Sequence, residues 1–173
     1  MLTEDAFRDL MAGVCAPVTV VTAMDKGIPH GSTVSSFSSL SLRPPMVTTA
    51  LGRESRLLEW ILRTRRFGVN VLGAGDAEVA RVFVGRREER FLRTPWHSDH
   101  GLPRLNGVAG WAVCELERAV PGGDHVLLMG LVVHAGSTGA APLVYGNREF
   151  GTHSEYARMP RVLTDHISAF TRR

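Results

Sequence analysis

The chain has 173 residues, 44% of them apolar and 21% charged, with a formal net charge of +3. That length suits one domain over residues 1–173 with a sizeable core, and that balance excludes a disordered chain. No apolar run approaches a membrane span and the acidic start, Met1-Leu2-Thr3-Glu4-Asp5, has no basic leader, so a cytoplasmic protein without a membrane partner is expected.

Thr3 can cap a helix over 4–13, with Glu4 and Asp5 in its first turn. Phe7, Leu10, Met11 and Val14 fall on one side of it, and Pro17 ends it. Val18-Thr19-Val20-Val21-Thr22-Ala23 reads as a β-branched strand. Asp25-Lys26-Gly27 is a turn signal, and 28–37 returns as the second arm of a hairpin. Pro44-Pro45 breaks the chain before a strand at 46–51. Ser55 precedes a helix on which Leu57, Leu58, Ile61 and Leu62 share a face. Residues 66–72 form a strand and 76–83 a short helix, followed by an Arg/Glu-rich loop through Phe91. Long strands at 111–120 and 125–134 meet in a hairpin at Pro121-Gly122-Gly123-Asp124. A last short strand covers 142–145, and Val162, Ile167 and Phe170 fit a helix in a C-terminal tail over 155–173. Six or more strands with few helices, and no βαβ alternation, predict a mainly β, mostly antiparallel barrel.

Candidate chemistry concentrates at a few places. Gly31-Ser32-Thr33-Val34-Ser35-Ser36-Phe37 packs four hydroxyls and a glycine into seven residues. Buried unpaired, each hydroxyl would cost about 1–3 kcal/mol, so the stretch suits a polar ligand edge better than a core. Lys26 is the only lysine, so arginine, the bidentate binder of phosphate and carboxylate, carries the basic charge. That favours an anionic small molecule over nucleic acid, because +3 is modest and the arginines are dispersed outside 63–66 and 86–93.

Ser55, flanked by Arg53 and Arg56 at a helix start, is either an anion site or an ordinary N-cap with solvated arginines. Gly73-Ala74-Gly75 lacks the third glycine of a dinucleotide fingerprint and reads as a simple strand-to-helix turn. His97-Ser98-Asp99-His100 lacks further partners at metal spacing and reads as a polar surface loop, so no metal is expected. His125 follows Asp124 at a hairpin mouth, either oriented by it for a purpose or incidental to the turn. Cys15 and Cys114, far apart in apolar contexts, are expected as two buried, reduced thiols.

In order, Val18–Thr22, Gly31, Ser35-Ser36-Phe37-Ser38-Ser39-Leu40-Ser41-Leu42-Arg43-Pro44-Pro45, Ser55, Arg66–Leu72, Arg90-Phe91, Gly123-Asp124-His125 and Pro142–Tyr145 form a specific set. From about residue 6 to about residue 150 it resembles the short-chain flavin reductases of two-component flavin monooxygenases. The resemblance implies a six-stranded antiparallel split β-barrel of Greek-key type with short flanking helices. It implies an NAD(P)H:flavin oxidoreductase using FMN or FAD and NADH or NADPH. It also implies a homodimer that supplies reduced flavin, by diffusion, to a separate flavin-dependent monooxygenase.

Position by position, it implies that His30, Gly31, Ser32, Thr33, Ser35 and Ser36 line the isoalloxazine and ribityl chain. Ala50, Leu51 and Gly52 follow the flavin further, and Ser55 and Arg56 hold its phosphate. Phe83, Arg90 and Phe91 close the far side. His125, beside Asp124, positions the nicotinamide, and Tyr145 completes that pocket. Two positions depart from the family pattern. Val82 stands where arginine is common, with Arg81 one place earlier, and Gly146 stands where a second aromatic is common, with Phe150 as a substitute. The other readings are a flavin-binding split barrel without NAD(P)H activity, as a carrier or redox partner, and a small β-barrel interaction module without flavin.

Overall fold

β-Branched and aromatic runs build the middle of a seven-stranded antiparallel sheet in a computed structural model that describes residues 2–153. In chain order the strands are β1 (Ala16–Pro17), β2 (Thr19–Asp25), β3 (Ile28–Val34), β4 (Ser38–Leu42), β5 (Pro45–Gly52) and β6 (Arg66–Val71). They continue with β7 (Trp96–Asp99), β8 (Leu102–Leu105), β9 (Gly110–Gly122), β10 (His125–Ser137), β11 (Val144–Gly146) and β12 (Glu149–Gly151). The helices are α1 (Glu4–Ala12), α2 (Arg56–Thr64), α3 (Ala77–Val84) and α4 (Arg87–Arg93). The large sheet runs β3-β2-β6-β9-β10-β5-β4, so β3 and β4 are its two edges. Two small sheets, β1-β11-β12 and β7-β8, flank it.

The central strands are apolar on both faces because each face is covered. Val21 and Ala23 of β2 join Phe67, Val69, Cys114 and Leu128 in one core, sealed by Leu57, Leu58 and Ile61 of α2. Val18 and Val20 turn the other way, into a second core with Leu72, Leu105, Leu143 and the α3 residues Ala80 and Phe83. The buried polar groups that strand polarity would otherwise leave orphaned pin the β7–β8 hairpin onto the sheet. Thr22 Oγ1 donates to the Pro103 carbonyl at 2.8 Å, and Asn70 Oδ1 accepts from the Leu105 amide at 2.8 Å.

Several sequence expectations are corrected by the fold. Seven strands form the main sheet rather than six, with β4 added as an edge. The stretch 97–100 is part of the β7–β8 hairpin, not a free loop. The Arg/Glu-rich segment is helical (α4); it hid because a charged run has no apolar period. α1 forms with Thr3 as its cap and closes at Gly13, as the expected 4–13 span has it, with Gly13 and not Pro17 as the terminating residue. Phe7, Leu10 and Met11 stay exposed, and no α1 residue is buried. Cys114 is buried as expected, whereas Cys15 is exposed. The tail helix assigned to 155–173 lies outside the described residues.

Candidate functional site

β3 is an edge strand, and every second peptide group of an antiparallel edge points off the sheet with no strand partner. Gly31 is one of them: its carbonyl accepts from Arg90 Nη1 at 2.6 Å. By strand periodicity Thr33 presents its peptide group along the same edge. A β-carbon at Gly31 would lie 2.9 Å from Phe83 Cε1 and 3.1 Å from Phe91 Cζ, so only glycine lets the strand pass over this aromatic pair. The two phenyl rings meet edge to face with centroids 5.1 Å apart.

A cleft of about 100 Å³ opens at this edge, with His30, Gly31, Ser32, Ser55, Arg56 and Phe91 on its walls. Ser55 occupies the N-cap position of α2 but makes no side-chain capping bond, so its hydroxyl stays available. The first-turn amides of α2 have no intrahelical acceptor and carry partial positive charge. Arg56 has no hydrogen bond or ion pair among the described residues. An available hydroxyl, available amides and an available guanidinium suit an anion such as a phosphate monoester. Glu59, the acidic residue of the same turn, does not line the cleft.

Further along β3, on the α3 side, lies a groove of about 780 Å³ walled by Thr33, Ser35, Arg81, Tyr145, Arg148 and Phe150. Tyr145 and Phe150 pack with centroids 5.2 Å apart, and the Arg81 guanidinium lies 5.3 Å over the Phe150 ring. Volume separates the two openings. Drug-sized ligands need about 300–1,000 Å³, so the cleft takes only an anionic end while the groove takes a ring system.

The third part is the tip of the β9–β10 hairpin, a two-residue turn whose first residue, Gly123, has φ +59°. His125 pairs with Gly52 of β5, which sets the tip beside the turn into α2. Asp124 Oδ1 and His125 Nδ1 are 2.9 Å apart. A carboxylate only accepts, so Nδ1 carries the proton and Nε2 is left for another partner. The hydrogen bond from His125, with help from the backbone, holds the Asp124 carboxyl below its ordinary range.

His30, Gly31, Ser32, Ser55, Arg56, Arg90 and Phe91 are thus brought together, while Thr33, Ser35 and Tyr145 line the groove instead. Phe83 and Leu51 do not reach either opening, because their side chains belong to the two cores. Two of the hydroxyls serve the fold. Thr33 Oγ1 donates to the Ala80 carbonyl at 2.7 Å, and Ser36 Oγ bridges the Ala50 amide and carbonyl at 2.8 and 3.0 Å. Arg90 spends its donors on the carbonyls of Gly31 and Gly85, which ties β3 to the end of α3.

The two departures from the family pattern have local causes. Val82 is buried while Arg81 projects into the groove, and a β-carbon at Gly146 would meet Cys15 Sγ at 2.9 Å. Sequence reasoning missed Arg148 and Glu149, although Gly146-Asn147 was a turn signal ahead of them.

An open-edged antiparallel fold with an anion-suited corner and a ring-sized groove along one edge strand has the shape and chemistry for a phosphorylated ring compound. The flavin reductase-like domain model matches residues 11–154, and the chain belongs to that family. It is 39% identical over 153 residues to a flavin reductase (NADPH) of Lentzea aerocolonigenes, covering 86% of this chain and 89% of that one. It is 32% identical to the reductase component of a flavin-dependent trigonelline monooxygenase of Acinetobacter baylyi, covering 82% of this chain and 45% of the relative. The chain therefore spans about half the length of some curated relatives (51% in another case) and most of the length of others. The flavin reductase of styrene monooxygenase from Pseudomonas putida S12 superposes with a TM-score of 0.79 at 31% identity, covering 85% of this chain and 96% of that one.

Proposed function

We propose that the protein is an NAD(P)H:flavin oxidoreductase that supplies reduced FMN or FAD to a separate monooxygenase. The observation that carries this reading is the available Ser55 hydroxyl and Arg56 guanidinium at the α2 N-terminus, where they meet the open edge of β3. Ser55, Arg56 and the α2 amides hold the flavin phosphate. The off-sheet amide of Gly31, whose carbonyl Arg90 already holds, and the off-sheet peptide group of Thr33 orient the cofactor along the edge, and the larger groove takes its ring. A bound flavin supplies the chemistry of accepting hydride from NAD(P)H. The chain's own task is to hold donor and acceptor at near-attack distance, about 3–3.5 Å. No nucleophile or metal is required for that, and His125 positions the nicotinamide through Nε2 rather than donating a proton.

The protein acts as a cytoplasmic homodimer. The apolar α1 residues Phe7, Leu10 and Met11, exposed in the single chain, support a second copy. Among the described residues no helix is long and apolar enough to cross a membrane. The matched region, 11–154, supports one flavin reductase domain with its core over about 6–150.

The test is direct. Purified protein is mixed with FMN, FAD or riboflavin, and NADH and NADPH consumption is followed by absorbance. Flavin-dependent consumption is expected. Flavin binding without consumption would favour the carrier, and no binding would remove both. His125→Ala is expected to raise the NAD(P)H KM; lost hydride transfer with intact nucleotide binding would overturn the positioning role.

A further inference from the structure

Arg53 stands between the anion corner and the hairpin tip, and its side chain does not line the cleft that Arg56 lines. Its Nε donates to the Gly123 carbonyl at 2.7 Å, and its backbone amide donates to the Asp124 carbonyl at 2.9 Å. One residue thus holds both carbonyls of the two-residue turn. Beyond the ladder pairing of His125 with Gly122 and Gly52, the tip has no apolar packing to hold it. Gly122, Gly123, Asp124 and His125 are all exposed, and none belongs to a core. Two adjacent glycines give this end of the hairpin more backbone freedom than any other pair of residues would.

We infer that Arg53 is a positioning residue: it clamps the hairpin tip so that His125 faces a nucleotide bound over the flavin. The inference rests on the His125 role proposed above. The clamp is continuous with the flavin corner. Ser55 donates its amide to the Gly52 carbonyl, and Gly52 is the register partner of His125. The turn that presents the phosphate-binding hydroxyl is therefore the turn that fixes the tip. A charge-assisted bond to a carbonyl is the strong kind, which suits a contact that must immobilise a glycine-rich turn.

The experiment uses Arg53→Ala and Arg53→Lys in the full chain, with His125→Ala as the second arm of a cycle. Arg53→Ala is expected to raise the NADH KM about tenfold and to leave the FMN dissociation constant within about twofold. Lysine can still reach the Gly123 carbonyl with one donor, so Arg53→Lys should recover most of the loss. Adding Arg53→Ala to His125→Ala should cost nothing further, because the clamp has lost what it positions. Full additivity, or an FMN loss as large as the NADH loss, would overturn the inference and make Arg53 a flavin contact.

Amide hydrogen exchange gives a readout that needs no activity. The amide of residue 53 should exchange about tenfold faster in Arg53→Ala than in wild type, and near the wild-type rate in Arg53→Lys. Unchanged protection would overturn the clamp. If wild type consumes no NAD(P)H, the oxidoreductase reading falls, while the exchange data still decide whether Arg53 holds the tip.

Discussion

Ser55 and Arg56 bind by being available, and that makes them sensitive probes. Arg56→Ala should weaken FMN binding about tenfold, the cost of a lost charge-assisted bond, and Ser55→Ala about fivefold. Flavin fluorescence quenching measures both. Neither change should alter stability, because neither side chain makes a bond within the fold. The cysteines divide just as sharply. Burial pushes the Cys114 thiol from an ordinary 9.0 up to about 12, whereas Cys15 is exposed. An aromatic disulfide reagent should therefore titrate Cys15 in the native protein and Cys114 only after denaturation. Reaction of both at equal rates would contradict the packing of Cys114.

At the scale of elements, legibility followed burial. β2, β6, β9 and β10 were readable because β-branched runs fill two cores, and α2 because its leucines share a face. β4 was not, since Ser38-Ser39-Leu40-Ser41-Leu42 is an exposed edge with no buried residue to set a pattern. Helix α4 hid in charge, and Trp96 to Leu105 hid in polar and proline residues whose pairing depends on Asn70 and Thr22 far away in sequence. The site was legible in part for the same reason. The glycine at 31 could be read as significant, but not that Phe83 behind it fills a core instead of facing a ligand. The hydroxyls at 33 and 36 looked like ligand groups, and their tertiary acceptors, Ala80 and Ala50, were invisible in the sequence. The seam between β3, α3 and α4 can be tested at one position. Gly31→Ala forces Phe83 or Phe91 to move and should destabilise the fold by about 1–3 kcal/mol. A lowered melting temperature together with weaker FMN binding is expected, because the same contact shapes the cleft.

At the scale of the whole molecule, stability should fade on the alkaline side. The Cys114 thiol stays protonated in the folded chain after an unfolded thiol has ionised, so its contribution is complete below pH 9.0 and lost as pH rises toward about 12. Urea midpoints should fall between about pH 8 and about pH 10.5, and Cys114→Ala should flatten that slope while lowering the midpoint at both values. Depressed carboxylates act at the other end. The Asp99 carboxyl is held below its ordinary range chiefly by its bond from Arg104, so that support is present above the usual carboxylate range and lost in acid.

The open edge of β3 has one more consequence, for the life of the chain before any ligand arrives. A strand that offers its peptide groups to a cofactor offers the same groups to another strand, and unpaired edges are where chains aggregate. Gly31 is guarded from within, by Arg90. The cofactor would then act as a stand-in for a neighbouring strand, and refolding from urea should yield more monodisperse protein with excess FMN than without it. Equal recovery, measured by light scattering, would mean that the edge is protected by the chain alone.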